Sequence, residues 1–148
     1  MFTTQLIDDD GWVYLPVYGT VVAGKPEENY IIEDTYEAVS PEMLTKGDCF
    51  AAKILGDSME PEMAEGDIVI VRSQNDCKNG ELAIVSVDGS RATVKRVNKD
   101  TRQCRLESVN GSYQPQIYKL SQKPEHDIKI MGVVIELRKK YGKSRYAK

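Results

Sequence analysis

The feature that most constrains this fold is a series of short runs rich in β-branched residues, each ended by a turn sequence. Apolar and polar side chains alternate within the runs, and the separators EGD, NGE, DGS and NGS carry turn chemistry. Short helices are predicted at 40–44 and 61–64, and no long amphipathic helix is apparent. The pattern predicts a mainly β fold with few short helices. The predicted strands are 12–17, 50–55, 68–71, 82–87, 92–97, 104–108 and 128–137, and VSVDGSRATVKRV is predicted to form a β-hairpin closed by Asp88-Gly89.

Size and charge limit the classes of function. The 148 residues suit one ordinary domain, and a net charge of −3 gives no overall attraction to nucleic acid or to an anionic membrane. No apolar run approaches the ~18 residues of a membrane span. The start, MFTTQLIDDDGW, lacks the basic and apolar regions of a secretory signal. We therefore expect a cytoplasmic protein without a membrane partner.

The cysteine and histidine pattern argues against a metal site or a bound cofactor. Cys49, Cys77 and Cys104 are widely spaced without a CxxC pair, so we interpret them as reduced thiols. The single histidine, His126, lies in the polar run QKPEHDIK and is expected on a surface loop. A Ser-His-Asp triad would depend on this residue alone and is not favoured.

The stretch GDSMEPEMAEGDIVIV places Ser58 in a polar turn just before a predicted strand. Such a serine is ordinarily a turn former, and it becomes a nucleophile only if a nearby base takes its proton. Lys95 interrupts the predicted strand ATVKRV, where either Lys95 or its neighbour Arg96 must tend inward. A buried lysine can lose its proton whereas an arginine stays charged, so Lys95 is the candidate base of a Ser-Lys dyad.

Three motifs together, GDSMEP, GDIVIV and ATVKRV, with Lys95 following Ser58 by 37 positions, resemble the self-cleaving domain of LexA and related phage repressors. UmuD-type polymerase accessory proteins share this domain. The resemblance covers roughly residues 13–137 and implies the LexA/signal-peptidase-like fold of twisted antiparallel sheets. It implies that Ser58 is the nucleophile and Lys95 the general base. The family's upstream cleavage bond corresponds here to Ala23-Gly24, in VVAGKP.

The resemblance also implies how the site is arranged. Val21 and Val22 are expected to form the substrate segment, docking over the dyad, excluding water and helping Lys95 to lose its charge. Backbone amides near Asp57 and Ser58 are candidates for the oxyanion hole. Residues 1–31 are expected to form an N-terminal arm with the cleavage segment, and 32–148 the autopeptidase and dimerisation domain.

The family suggests three kinds of partner. A RecA filament on single-stranded DNA is the expected activator of cleavage. A second copy is expected to bind through the apolar strand KIMGVVIEL at 129–137, interpreted as an edge strand that would otherwise risk aggregation. Operator DNA would be contacted only through an N-terminal domain absent from this chain.

Three alternatives remain open. The chain length suits a complete UmuD-like accessory subunit of a translesion polymerase, although VYGTVVAGKP and SVNGSYQP resemble the repressors more closely. The signal-peptidase core shares the serine turn and the lysine strand, but it needs a membrane anchor and commonly continues into a PGD-type segment, where this chain has VNKDTRQ. The third alternative is a dimerisation module with an inactive dyad.

Overall fold

The computed structural model describes residues 6–21, 23 and 29–139, which form ten strands and one short 3-10 turn at Pro41–Leu44. The mainly β fold predicted from the alternating pattern is confirmed. The strands are β1 (Leu6–Ile7), β2 (Val13–Thr20), β3 (Tyr30–Val39), β4 (Cys49–Lys53), β5 (Ile68–Ser73), β6 (Leu82–Val87), β7 (Thr93–Lys99), β8 (Gln103–Glu107), β9 (Gln116–Lys119) and β10 (Ile128–Arg138).

The strands pair into one sheet in the order β1-β2-β4-β5-β10-β6-β7-β8-β9, and β3 pairs with β2. The β2–β4 pair is parallel, with Val17 opposite Ala51, and the other recorded pairs are antiparallel. The predicted hairpin VSVDGSRATVKRV is confirmed as β6–β7. Asp88 and Gly89 both have positive φ at its turn, 54° and 72°, the backbone that a tight two-residue hairpin turn needs.

Three strands were not predicted from the sequence, and one predicted helix is wrong. β9 has no fully buried residue, and β1 has two exposed residues, so neither gives a hydrophobic alternation to detect. β3 mixes acidic with apolar residues in YIIEDTYEAV and, among the described strands, pairs only with β2. Residues 61–64 form hydrogen-bonded turns instead of the expected helix.

The apolar strand near the C-terminus lies inside the sheet. β10 pairs with β5 on one side and with β6 on the other, so the interpretation of 129–137 as an edge strand is wrong. A continuous apolar run is typical of an interior strand that packs on both faces. Any contact of β10 with a second copy must therefore use a face of the sheet.

The core comprises three clusters of buried apolar side chains, and β7 contributes to two of them. Val94 packs in the cluster that contains Met59, whereas Val97, on the opposite face of the strand, packs with Ala83 and Leu106. Lys95 shares the face of Val97 because side chains alternate along a strand. Among the described residues, no helix is long and apolar enough to cross a membrane.

Candidate active site

Ser58 lies in a turn that follows β4 and is anchored in the core by the two methionines after it. Met59 and Met63 are 2% and 3% exposed, and the Met63 N–H donates to the Met59 carbonyl at 2.9 Å. The turn begins at Gly56, whose φ of +78° favours glycine and whose N–H donates to the Glu65 carboxylate at 3.0 Å. Ser58 itself is half-buried. The serine is therefore held on a supported turn and remains within reach of a substrate.

Lys95 lies in the interior of β7, opposite Ala83 of β6, and is half-buried. Burial lowers the pKa of the Lys95 ammonium below its ordinary value, because an apolar setting disfavours the charged form. The next residue, Arg96, instead donates to the Gly80 carbonyl at 2.6 Å. Arg96 is thus engaged with a backbone carbonyl, which leaves Lys95 as the candidate base.

One turn contacts both the lysine and the serine turn. The Lys95 amine donates to the Ser108 hydroxyl oxygen at 2.9 Å, and the backbone N–H of Asn110 donates to the Ser58 carbonyl at 2.9 Å. Ser108 and Asn110 are two residues apart, and two residues of chain span at most about 7 Å. This turn, between β8 and β9, therefore contacts both Lys95 and the turn that carries Ser58.

Ser58 and Lys95 each line one of two adjoining cavities. One, of about 60 Å³, has Ser58 and Val21 in its wall, and the other, of about 310 Å³, has Lys95 in its wall. Arg91 and Thr93 line both cavities. The two cavities therefore adjoin at Arg91 and Thr93, with Ser58 on one side and Lys95 on the other.

The parallel pairing of β2 with β4 sends two segments out of the same end of the sheet. One is the segment after β2 that includes Val21 and Ala23, and the other is the segment after β4 that leads to Ser58. Val21 is 4% exposed and accepts a hydrogen bond from the Ala92 N–H at 2.7 Å, and Ala23 is 9% exposed. The chain is thus docked beside the serine turn two residues before the predicted cleavage bond.

Some predicted site residues lie outside the described part of the chain. Val22 and Gly24 are among them, so the cleavage bond Ala23-Gly24 is described on its acyl side alone. The carbonyl oxygens of Asp57 and Ser58 accept hydrogen bonds from Asn110. The assignment of the backbone amides of Asp57 and Ser58 to an oxyanion hole stays a prediction.

The three cysteine thiols and the histidine imidazole do not come together as the ligands of a metal site would. Cys49, Cys77 and Cys104 form no disulfide, and burial raises the pKa of each thiol. His126 is exposed and pairs with the Asp88 carboxylate at 2.7 Å, at the turn of the β6–β7 hairpin. Within residues 6–21, 23 and 29–139, no group of three or more His, Cys, Asp or Glu side chains could hold a metal ion.

The contacts made by the side chains of the β8–β9 turn were not predicted from the sequence. Ser108, Asn110 and Tyr113 belong to the stretch SVNGSYQP, which was interpreted as a turn and as a point of resemblance to repressors. Their contacts join positions far apart in the chain; the Tyr113 hydroxyl, for example, donates to the Asp57 carboxylate, 56 positions away. The only signal available was the NGS turn itself.

Comparisons with known proteins identify the family to which the chain belongs. The chain matches the family model described as Peptidase S24-like over residues 16–135. It is similar to the LexA repressor of Clostridium tetani, 40% identical over 133 residues, covering 87% of this chain and 62% of that protein. The LexA repressor of Magnetococcus marinus is 38% identical over 130 residues, covering 85% and 52%. That of Erythrobacter litoralis is 30% identical over 131 residues, covering 87% and 53%. The chain therefore spans about half to two thirds of the length of these curated relatives.

Proposed function

The chain belongs to the Peptidase S24-like family, and from that membership we propose that it is the self-cleaving, dimerising C-terminal part of a LexA-like repressor. Ser58 is the nucleophile, Lys95 the general base, and Ala23-Gly24 the bond that is cut. The observation that carries this proposal is the parallel β2–β4 pair, since it directs the arm and the serine turn to the same end of the sheet. The repressor name of the relatives above favours a repressor over a polymerase accessory subunit.

In the proposed reaction each of the two side chains has one role. Neutral Lys95 takes the proton of the Ser58 hydroxyl, and the oxygen attacks the carbonyl carbon of Ala23. Backbone N–H groups near Asp57 and Ser58 stabilise the oxyanion. The bond to Gly24 breaks as the Lys95 ammonium returns the proton to the departing amine.

Hydrolysis completes the cycle. The first half-reaction leaves residues 1–23 attached to Ser58 as an ester. Lys95, neutral again, takes a proton from a water molecule, and the resulting hydroxide attacks the ester carbonyl. The products are a fragment that ends in the carboxylate of Ala23 and a fragment that begins with the amine of Gly24.

Regulation in this proposal depends on how often the arm is docked. The burial of Val21 and Ala23 supports a docked state, and cleavage is possible only in that state. A partner that binds the docked form preferentially raises its population and so accelerates cleavage. We assign this role to a RecA filament on single-stranded DNA, and operator binding to a further domain of the longer protein.

Dimerisation is the second part of the proposal. Several apolar side chains of the interior strand β10 are only partly buried, which leaves apolar surface for a second copy: Ile128, Ile130, Met131, Val134, Ile135 and Leu137. A dimer gives a repressor two half-site contacts, and cutting the chain separates them from the dimer contact. Sedimentation velocity across a dilution series should show a dimer that dissociates on dilution; a monomer at every concentration would contradict this part.

The test is cleavage of the purified protein at neutral and at alkaline pH, with and without RecA filaments on single-stranded DNA. The wild type should yield a new terminus at Gly24, faster at alkaline pH and faster with filaments. Ser58→Ala should stay intact under all four conditions while keeping the wild-type melting temperature. Exposed Ser121 provides the matched control, since Ser121→Ala should cleave as the wild type does. A Ser58→Ala protein that still splits at Ala23-Gly24 would refute the assignment.

A further inference from the structure

We infer that Ser108, Asn110 and Tyr113, together called the clasp, hold the serine turn and the lysine amine in the relative position that proton transfer requires. This inference rests on the proposed self-cleavage. Ser108 contacts the reacting amine directly, whereas Asn110 and Tyr113 act through the serine turn and are positioning residues. The clasp occupies the turn between β8 and β9, a segment to which the proposed mechanism gives no role.

At the lysine end, the clasp fixes the direction of the amine. The Lys95 nitrogen donates to the Ser108 hydroxyl oxygen at 2.9 Å and lies 5.9 Å from the centre of the Tyr113 ring. A neutral lysine amine has two hydrogens and one lone pair, and it rotates freely about its last carbon–nitrogen bond. Holding one N–H on Ser108 restricts that rotation and so limits the directions in which the lone pair can point.

At the serine end, the clasp makes three hydrogen bonds to two consecutive residues. The Asn110 backbone N–H donates to the Ser58 carbonyl at 2.9 Å, and the Asn110 side-chain amide donates to the Asp57 carbonyl at 3.0 Å. The Tyr113 hydroxyl donates to the Asp57 carboxylate, a bond that raises the pKa of Tyr113 and keeps it protonated as a donor. The outer side of the serine turn is therefore tied to the same segment that holds the lysine.

The clasp is itself stiffened by bonds within its turn. The Ser112 N–H donates to the side-chain oxygen of Asn110 at 2.9 Å, and the Tyr113 N–H donates to the Asn110 carbonyl at 3.1 Å. Val109 adds an apolar contact, because it packs against the core cluster that contains Met59. The side-chain amide of Asn110 is thus used at both ends, donating to the serine turn and accepting from its own turn.

Position matters here because both partners of the proton transfer are otherwise only partly constrained. Gly56 and Asp57 are exposed, and the core anchors of the serine turn, Met59 and Met63, lie after the nucleophile. A misplacement of about 1 Å in a catalytic group can lower a rate about a hundredfold. Loss of one clasp contact should therefore lower the cleavage rate about tenfold to a hundredfold without removing the nucleophile or the base.

The charged and titratable groups around Lys95 decide how a pH profile is interpreted. Arg91, Tyr113 and Tyr118 line the same cavity as Lys95, and Asp57 reaches it through Tyr113. Ala83, the residue opposite on β6, is apolar. An acceptor hydroxyl favours the ammonium form of Lys95, so removing Ser108 should lower the pKa of the amine further.

The experiment measures self-cleavage rate against pH for Ser108→Ala, Ser108→Thr, Asn110→Ala and Tyr113→Phe, with Ser112→Ala as the control in the same turn. Ser108→Ala should shift the midpoint of the profile to lower pH and lower its plateau, and Ser108→Thr, which keeps a hydroxyl, should restore both. Tyr113→Phe and Asn110→Ala should lower the plateau about tenfold or more while the midpoint stays near that of the wild type. Ser112→Ala should match the wild type, because the Ser112 backbone makes its contact.

Two failures can be distinguished. A wild type that never cleaves would overturn the proposed function, and the clasp with it. If cleavage depends on Ser58 but all clasp variants keep the wild-type rate and midpoint, the clasp alone is overturned. Melting temperatures identify any variant that fails to fold; Tyr113→Phe keeps the ring and loses one hydroxyl, so it still decides the question if Asn110→Ala unfolds.

Discussion

Lys95 occupies a strand position at which burial and access are balanced. On its face of β7, Thr93 is exposed and Val97 is completely buried, and Lys95 lies between them. This depth is enough to lower the pKa of the amine by burial, while the Ser108 hydroxyl still gives it a hydrogen-bond partner. A general base needs this combination, because it must be neutral near the working pH and still reach the proton that it removes.

The self-cleavage rate should rise with pH through the pKa of Lys95, with its midpoint below the ordinary lysine value of 10.5, since the pKa is lowered and the neutral amine is the active form. Lys95→Arg should not cleave at any pH, because arginine keeps its charge. Lys99→Arg, the same substitution four residues along the strand, should keep the wild-type profile. A rate–pH profile by gel densitometry checks all three, and a Lys95→Arg protein that cleaves at the wild-type rate would remove Lys95 from the mechanism.

At this scale the sequence indicates the two residues proposed to react, whereas it does not indicate the residues that contact them. Ser58 and Lys95 were identified because each belongs to a short motif and their spacing matches a known pattern. Asn110 and Tyr113 contact the serine turn across more than fifty positions, through the way β8 and β9 fold back beside β7. The spacing of residues within a short motif cannot predict such long-range contacts between the β8–β9 turn and the serine turn.

The strands show which patterns a sequence can carry. The hairpin β6–β7 was predicted because Asp88-Gly89 separates two alternating runs, and the turn chemistry determines how the strands pair. β10 was recognised as a strand but misplaced at an edge, because its apolar run does not specify its neighbours. Gly132 is a residue of β10 whose identity reflects the interior position of the strand. An added Cβ at Gly132 would lie 2.5 Å from both the Arg72 carbonyl oxygen and the Val71 side chain, so the close approach of β5 requires a glycine there.

Gly132→Ala should lower the free energy of unfolding by about 1–3 kcal/mol, because the methyl group forces β10 away from β5 in a packed sheet. Gly111→Ala is the matched control, since an added Cβ there meets no atom within 4 Å. Urea denaturation followed by tryptophan fluorescence or circular dichroism measures both. Equal stability of the two variants would show that β10 and β5 do not approach as closely as described.

For the whole molecule, topology brings together the parts of the proposed reaction. The parallel β2–β4 pair directs the arm and the serine turn to one end of the sheet, and β7 supplies the lysine beside them. The sequence indicates the arm, the serine turn and the lysine strand and their order along the chain. The parallel β2–β4 pairing that directs the arm and the serine turn to the same end of the sheet was not predicted. An arm continuous with β2 reaches its own serine turn, so the reaction should be intramolecular.

The most direct test is a time course of intact mass for the wild type at alkaline pH, repeated over a wide dilution series. We predict two fragments, residues 1–23 and 24–148, whose masses add up to the chain plus one water, formed with a first-order rate constant that does not change on dilution. A rate constant that falls in proportion to protein concentration, or fragments from another bond, would contradict cleavage of Ala23-Gly24 by the chain's own Ser58 and Lys95.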